Sequence, residues 1–130
     1  MDDLKRAMTT LASAMDAQSL RLRLVSENVA NAEVPGYRRK LVPFEAAVAR
    51  ESGAMTVRAG RVRLDRTALA RVHDPGHPLA GADGLRPGSN VDPLIEIADA
   101  REAHRSYEAS LSLYQEARAM RRGLLDLLRR

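Results

Sequence analysis

Apolar residues recur at both ends of the chain at spacings of three and four. At the front the stripe runs through Leu4, Met8, Leu11, Met15, Gln18, Leu22, Val25 and Val29. At the back it runs through Ile97, Ala100, His104, Tyr107, Leu111, Tyr114, Arg118, Arg121, Leu125 and Leu128. Sustained heptad spacing predicts helices that pack along a seam. The first helix is expected from about residue 4 to about residue 30, ~40 Å long at 1.5 Å per residue. Asp2 or Asp3 would open it, since a carboxylate suits the free N–H groups and the positive end of the dipole. Asn31 would close it in the left-handed conformation that often ends a helix. The second helix starts more clearly, with Asp92 as N-cap and Pro93 at the first helical position, where a missing N–H costs nothing. Its charges follow the dipole: Glu96, Asp99 and Glu102 come early, Arg118, Arg121, Arg122, Arg129 and Arg130 late. Gly123 weakens it by roughly 1 kcal/mol against alanine.

Between the stripes the period changes. Pro35 pushes Val34 toward extended backbone, and Pro35-Gly36 reads as a turn with Gly36 at positive φ. Met55-Thr56-Val57-Arg58 and Arg61-Val62-Arg63-Leu64 alternate around Ala59-Gly60, which predicts a β-hairpin. Residues 67–72 are a candidate for a further short strand. Asp74-Pro75-Gly76-His77-Pro78 and Gly81-Ala82-Asp83-Gly84 are dense in breakers, so a loop is expected there, extended by Arg86-Pro87-Gly88-Ser89. The expected fold is mainly α: two long terminal helices packed antiparallel in coiled-coil fashion, with a small β-hairpin and loop module between them. The natural divisions are residues 1–31, 32–91 and 92–130.

Composition narrows the possibilities. At 130 residues the chain is one domain at most. It has no tryptophan and only Phe44, Tyr37, Tyr107 and Tyr114 as aromatics, so Leu, Val, Met and Ala must fill any core. Without cysteine there is neither a disulfide framework nor a thiolate metal site. No run approaches the ~18 apolar residues of a membrane span. Met1-Asp2-Asp3 has the wrong sign for the start of a signal peptide. The chain is expected to be cytoplasmic, or exported by a route that leaves no cleavable signal.

A net charge of +4 and a pI near 10.1 invite a nucleic-acid reading. Yet residues 1–31 carry four basic and four acidic groups, and residues 94–130 seven and six. The excess lies in residues 32–93, with ten and seven. A DNA-binding helix gathers its arginines on one face; here they alternate with carboxylates, the pattern of solvated helix faces. A basic nucleic-acid-binding protein remains the main rival from another class and predicts salt-sensitive DNA binding. A small helical adaptor or export chaperone is the second.

Candidate chemistry is thin. His73 and His77 lie four apart with Asp74 and Asp83 near, but Pro75, Gly76 and Pro78 forbid the helix that would make such spacing a metal site. His104 sits at a heptad position, where a packed or interfacial histidine is the ordinary reading. No serine sits in a strand–turn–helix elbow, and Gly81-Ala82-Asp83-Gly84 lacks the Lys and Ser/Thr of a phosphate loop. The residues offer no catalytic, cofactor or metal site and no pocket for a small-molecule substrate, so an enzyme is not expected.

One resemblance gives the stripes a purpose. Ala17-Gln18-Ser19-Leu20-Arg21-Leu22, then Asn28-Val29-Ala30-Asn31-Ala32-Glu33-Val34-Pro35-Gly36-Tyr37, closely resembles the N-terminal motif of the bacterial flagellar rod and hook proteins, A-Q-x-x-R-L then N-x-A-N-x-x-T-P-G-Y. Asn90-Val91-Asp92 and Ala103-His104-Arg105-Ser106-Tyr107-Glu108-Ala109 are similar to its C-terminal motif. His73-Asp74-Pro75-Gly76-His77-Pro78-Leu79-Ala80 with Ala82-Asp83-Gly84 looks like the D-P-x-H-P-x-A-x-A-D-G segment of one proximal-rod branch, rather than of its sibling branch. The short length argues against the distal rod and hook branches.

The resemblance implies a structural subunit of the periplasmic rod, exported unfolded by the flagellar type III apparatus without a cleaved signal. It implies terminal helices in the inner layer of a hollow helical tube, and partners that are other rod subunits and further copies of the chain. All the stripe residues except Gln18, Ala100, His104, Arg118 and Arg121 become candidate interface residues, and Asn31, Pro35, Gly36 and Tyr37 the structural turn. The chain departs from the pattern at Val34, where threonine is usual, and at Ser110, where asparagine often follows Y-x-A. It departs again at Ala100-Arg101 and Arg121-Arg122, where that branch tends to be apolar.

Overall fold

The computed structural model describes all 130 residues. The elements in chain order are α1 (Asp2–Ala30), β1 (Lys40–Leu41), β2 (Phe44–Val48), β3 (Met55–Ala59), β4 (Arg63–Leu64), β5 (Arg71–His73), β6 (Leu85–Pro87) and α2 (Pro93–Leu128). The two helices pack antiparallel. Asn28 reaches Glu96 at one end of the pair, and Lys5 and Met8 share a cleft with Tyr114 and Arg121 at the other.

Helix ends follow local chemistry, with two corrections. Met1 occupies the N-cap of α1 without a side-chain bond, so Asp2 and Asp3 act through the dipole alone. Asn31 is not left-handed: its φ is −107°. It closes α1 by placing both its backbone N–H (3.0 Å) and its Nδ2 (2.8 Å) on the Glu27 carbonyl. The left-handed residue comes later, at Gly36 with φ 78°. There Tyr37 N–H donates to Val34 O at 3.1 Å, and Pro35-Gly36 forms the centre of a type II turn. At the other helix, Asp92 Oδ1 accepts from Leu94 N–H at 3.0 Å, as the Asp-Pro pair predicts. α2 then runs through Gly123 without a break.

The inward face of α2 differs from the sequence stripe by a rotation. Its less exposed positions are Glu96, Ala100, Ala103, Tyr107, Ser110, Tyr114, Ala117 and Arg121, again three and four apart. Only Ala100, Tyr107, Tyr114 and Arg121 belong to the predicted stripe. Ile97, His104, Leu111 and Arg118 lie on an exposed face, whereas Leu125 and Leu128 continue the inward spacing but stand exposed past the level of Lys5 in α1. The physical reason for the rotation is fit. Ala100, Ala103, Ser110 and Ala117, with Ala103 wholly buried, let the axes approach, and Tyr107, Tyr114 and Arg121 fill the gaps between them. The apolar core is correspondingly small: Ala17, Leu24, Val25, Ala54, Ala103 and Ala117.

The predicted hairpin has a different partner. β3 pairs with the upstream β2, from Phe44↔Ala59 to Val48↔Met55, and β4 pairs with β1 through Lys40↔Leu64 and Leu41↔Arg63. The chain folds back not at Ala59-Gly60 but at residues 49–54, where Gly53 has φ 67°. Residues 40–64 thus form one long hairpin in two ladders. Between them Val42 and Pro43 lie opposite Gly60, Arg61 and Val62, so one strand carries an extra residue and the hairpin bulges. Pro43 cannot donate to the ladder, and Gly60 N–H bonds its carbonyl at 2.8 Å. A Cβ at Gly60 would fall 2.9 Å from Pro43 Cγ. The alanines of β2 have weak strand preference, which hid this strand from the alternation pattern.

Downstream, of the expected strand at residues 67–72 only Arg71 and Val72 are in one, as part of β5, which is two-stranded with β6 across the turn-rich segment; residues 67–70 are not strand. The loop therefore does not extend through Arg86-Pro87 as expected. Pro87 is accommodated because a two-stranded ribbon leaves each strand an open edge. The long hairpin lies along α1: Thr10 Oγ1 donates to Met55 O at 2.5 Å, Val57 N–H to Ser13 Oγ at 3.0 Å, and Arg6 Nε to Ser52 O at 3.1 Å.

Candidate functional site

Three segments that are remote in sequence converge where α1 ends and α2 begins. Asn28, on the buried line of α1 four residues after Leu24, is 1% exposed. Its Nδ2 donates to Lys40 O (3.0 Å) and to Glu96 Oε2 (3.2 Å). Its Oδ1 accepts from Lys40 N–H (2.9 Å) and from the Tyr37 hydroxyl (3.0 Å). The amide thus makes every hydrogen bond it can make.

Glu96 is wholly buried, and its other oxygen accepts from Arg39 Nε. The same guanidinium donates to Asp99 Oδ2 at 2.6 Å and stands 3.9 Å from Asp65 Oδ2, while Arg21 approaches Asp99 at 3.8 Å. Arg39 N–H donates to Asn90 Oδ1 at 2.6 Å, and Asn90 Nδ2 to Asp65 O at 2.9 Å. Ser89 Oγ donates to Ala32 O, and Gly36 N–H to Gly88 O at 3.0 Å. These bonds form a clasp holding the helix end, the Pro-Gly turn and the lead into α2.

The surroundings move three titrating groups. Burial holds the Tyr37 phenol above its usual range; Lys40 opposes the rise, and Glu27 and Glu96 add to it. The hydrogen bond from Lys40 to Glu27, 3.0 Å long, raises the ammonium. Bonds from the Thr67 backbone and hydroxyl keep Asp65 low, with Arg39 and Arg38 assisting. Arg21, Arg39, Lys40, Glu96 and Asp99 of this set also line a cleft with Leu24, Val25, Leu41, Val42 and Phe44; the hydrogen bonds and ion pairs orient the three segments relative to one another.

Pro35, Gly36 and Tyr37 of the expected turn belong to the clasp region, and Asn31 closes α1 just before it. The stripe residues divide. Val25 is buried within the subunit; Leu4, Met8, Leu11, Met15, Leu22, Tyr107 and Tyr114 are half-buried. Val29, Ile97, Leu111, Leu125 and Leu128 are exposed, the last by 76%. Val29 belongs to α1; the other four, with Leu94, Leu113, Met120, Leu124 and Leu127, leave α2 rich in exposed large apolar side chains. An apolar groove between the helices near the clasp is lined by Val25, Val29, Ile97 and Ala100.

The histidines lie elsewhere. His77 Nδ1 accepts from Leu79 N–H at 3.0 Å inside its turn. His73 lies in β5 beside Gly84. His104 points outward and pairs with Glu108 at 3.1 Å rather than facing α1. Neither Asn28 nor Glu96 was singled out as a site from the residues. For Asn28 the signal was a polar group following the buried Leu24 and Val25 by four and three; Glu96, whose neighbours at those spacings are not buried, carried no such signal.

Comparison with known proteins matches residues 8–38 to the family model described as flagella basal body rod protein. The chain is 40% identical over 136 residues to flagellar basal-body rod protein FlgC of Agrobacterium fabrum, covering 99% of this chain and 98% of that one. It is 34% identical over 114 residues to FlgC of Salmonella typhimurium, covering 83% and 85%. With FlgC of Bacillus subtilis it shares 29% over 144 residues, covering 93% and 95%. The two stretches that build the clasp around Asn28 and Tyr37 fall inside the matched segment, and near-complete coverage at 40% identity extends the likeness to both helices: the chain belongs to the FlgC family of flagellar basal-body rod proteins.

Proposed function

We propose that the chain is a structural subunit of the proximal rod of the bacterial flagellar basal body, and that its terminal helices assemble with neighbouring rod subunits into a hollow helical tube. The single observation that carries this reading is how the large apolar residues are placed. Ala100, Ala103, Ser110 and Ala117, interleaved with Tyr107 and Tyr114, face α1 across the seam, while Ile97, Leu111, Leu125 and Leu128 stand exposed on α2. An apolar surface of this extent on a small chain marks an interaction site. In this reading residues 1–31 and 92–130 form the inner layer and residues 32–91 face outward. The partners are other rod subunits, copies of this chain and the flagellar type III export apparatus. The location is the rod in the periplasm, reached without a cleaved signal. The chain performs no catalysis and needs no cofactor. No helix is long and apolar enough to cross a membrane.

Complementation of a strain lacking the gene tests the reading. Leu111→Asp should leave the protein expressed and folded while basal bodies lose their rod and cells stop swimming. Full motility of that strain, together with normal rods in purified basal bodies, would refute it.

A further inference from the structure

The basic excess of residues 32–93 is not spread evenly through the fold. Of its ten cations, Arg39, Lys40, Arg71 and Arg86 stand in ion pairs. Arg38, Arg50, Arg58, Arg61, Arg63 and Arg66 have no carboxylate partner within pairing distance. Three of these six converge: Arg38, Arg63 and Arg66 line one open groove of about 740 Å³ whose only other lining residue is Leu64.

The groove is organised. Arg38 Nη1 donates to the carbonyls of Asp65 (3.3 Å) and Thr67 (3.1 Å), which fixes its guanidinium without neutralising it. Asp65, the nearest acid in sequence, accepts from Thr67 N–H and stands 3.9 Å from Arg39. Its carboxylate is engaged first by Thr67 and Arg39 and less by Arg38, and neither Arg63 nor Arg66 is among its partners. Arg63 and Arg66 are exposed. Leu64 is 54% exposed, and Val62 and Leu41, the latter opposite Arg63 in the ladder, are exposed as well.

We infer that the Arg38–Arg63–Arg66 groove is a docking surface for an acidic, leucine-containing segment of another protein chain. Planar guanidinium forks match carboxylates in two-point geometry, and the exposed aliphatic groups between them match an apolar side chain of the same segment. The balanced helices favour this partner over nucleic acid, because they offer no basic continuation for a phosphate backbone to follow. A phosphodiester chain also has nothing to set against Leu64. The surface belongs to the middle module and is separate from the helix faces invoked for assembly.

The test uses the purified full-length chain and a fluorescein-labelled peptide of glutamates interrupted by single leucines, read by anisotropy at low salt. Duplex DNA and phosphatidylglycerol vesicles serve as competing probes. Arg63→Gln with Arg66→Gln should weaken peptide binding about five- to tenfold, as expected for two exposed ion pairs. Arg50→Gln with Arg101→Gln changes net charge equally and should bind like the native protein. Arg63→Glu with Arg66→Glu should lose the glutamate peptide and gain a lysine–leucine one. Unchanged melting temperatures certify the fold of each variant. Equal weakening in the Arg50/Arg101 control would reduce the effect to bulk charge and overturn the inference. DNA or vesicles binding the same arginines more tightly than the peptide would overturn the choice of partner. A native chain that ignores the peptide yet still builds rods in cells would sink this inference and leave the structural-subunit reading intact.

Discussion

Asn28 donates to Glu96 across 3.2 Å although 68 residues separate them, and both side chains are essentially sealed from solvent. The pair ties the end of α1 to the start of α2 at the point where Arg39 supplies the opposing charge. Removing one member of such a set is worse than removing all of it, because the remaining groups stay buried without partners.

Glu96→Ala should therefore destabilise the chain by about 3–5 kcal/mol, the usual range when one partner of a buried ion pair is deleted. Asn28→Ala strands the Lys40 N–H and the Tyr37 hydroxyl and should cost about 2–6 kcal/mol, at ~1–3 kcal/mol for each unsatisfied group. Chemical denaturation of the purified subunit measures both. Changes below about 0.5 kcal/mol, the level of an ordinary surface substitution, would show that the clasp is open in solution.

Alkaline pH should loosen the same region. Tyr37 and Lys40 both have folded pKa values raised above their ordinary 10.0 and 10.5. A raised folded pKa means stability that is complete below the unfolded value and lost as pH climbs through the folded one. The loss therefore begins in the range above 10.0. Tyr37→Phe should lower stability by about 0.5–1.5 kcal/mol near neutrality, through the lost hydrogen bond to Asn28. It should also make the alkaline fall shallower. Asp65 works in the opposite sense: its folded pKa is depressed, so its contribution is present above 3.8 and disappears as pH falls through the folded value. Melting temperature against pH, with Asp65→Asn for comparison, reads out both limbs.

Gly36 separates backbone strain from crowding. Its φ is 78°, and a Cβ built there meets nothing within 4 Å. Gly36→Ala should cost about 1–2 kcal/mol from the left-handed conformation alone, and Gly36→Val more, with loss of swimming. Gly36→Asn should recover part of the loss, since asparagine tolerates that region. Gly76, equally unobstructed but without a positive φ, is the control: Gly76→Ala should be close to neutral. Equal costs at the two glycines would remove the turn from the argument.

The outward face of α2 predicts a dissociation between folding and assembly. Leu124→Asp and Leu111→Asp should change subunit stability by no more than about 0.5 kcal/mol, as surface substitutions do, while blocking rod formation in complementation. Ala103→Leu should do the reverse first. It forces a side chain into a fully buried site and should destabilise the subunit by about 1–3 kcal/mol. Thermal melts alongside electron microscopy of basal bodies distinguish the two classes.

Limited proteolysis probes the ends. α2 continues past the level at which Arg121 meets Lys5, and residues 122–130 are exposed. Trypsin acting on the isolated subunit should cut first after Arg122, and the site should be protected in assembled rods.

The helices and the start of α2 were legible because their signals are local, whereas both caps of α1 differ from the expectation. Asp92-Pro93 announces a start, and the three–four spacing reports amphipathic faces without needing to know what covers them. The rotation of the α2 seam was not legible. Ile97 and Ala103 both obey helical periodicity, and choosing between them depends on the size of the residues opposite. The hairpin partner was hidden for a related reason. Phe44-Glu45-Ala46-Ala47-Val48 becomes a strand by pairing with Met55–Ala59, which itself lies on α1, not by its own preference. The clasp needed Asn28, Arg39 and Glu96 to be near in space, which no spacing along the chain declares. The family motifs reached it indirectly, since both the Asn28 and the Tyr37 segments lie within them.

The alanine and serine seam of α2 has an evolutionary corollary. Because Ala103, Ser110 and Ala117 hold the subunit together while Leu111, Leu124 and Leu125 stand outside, the two sets of residues can drift independently. A lineage can repaint the outer set to suit an altered neighbour and still inherit a subunit that folds. Arg101 and Arg122, charged and exposed, sit on the side free to be rewritten.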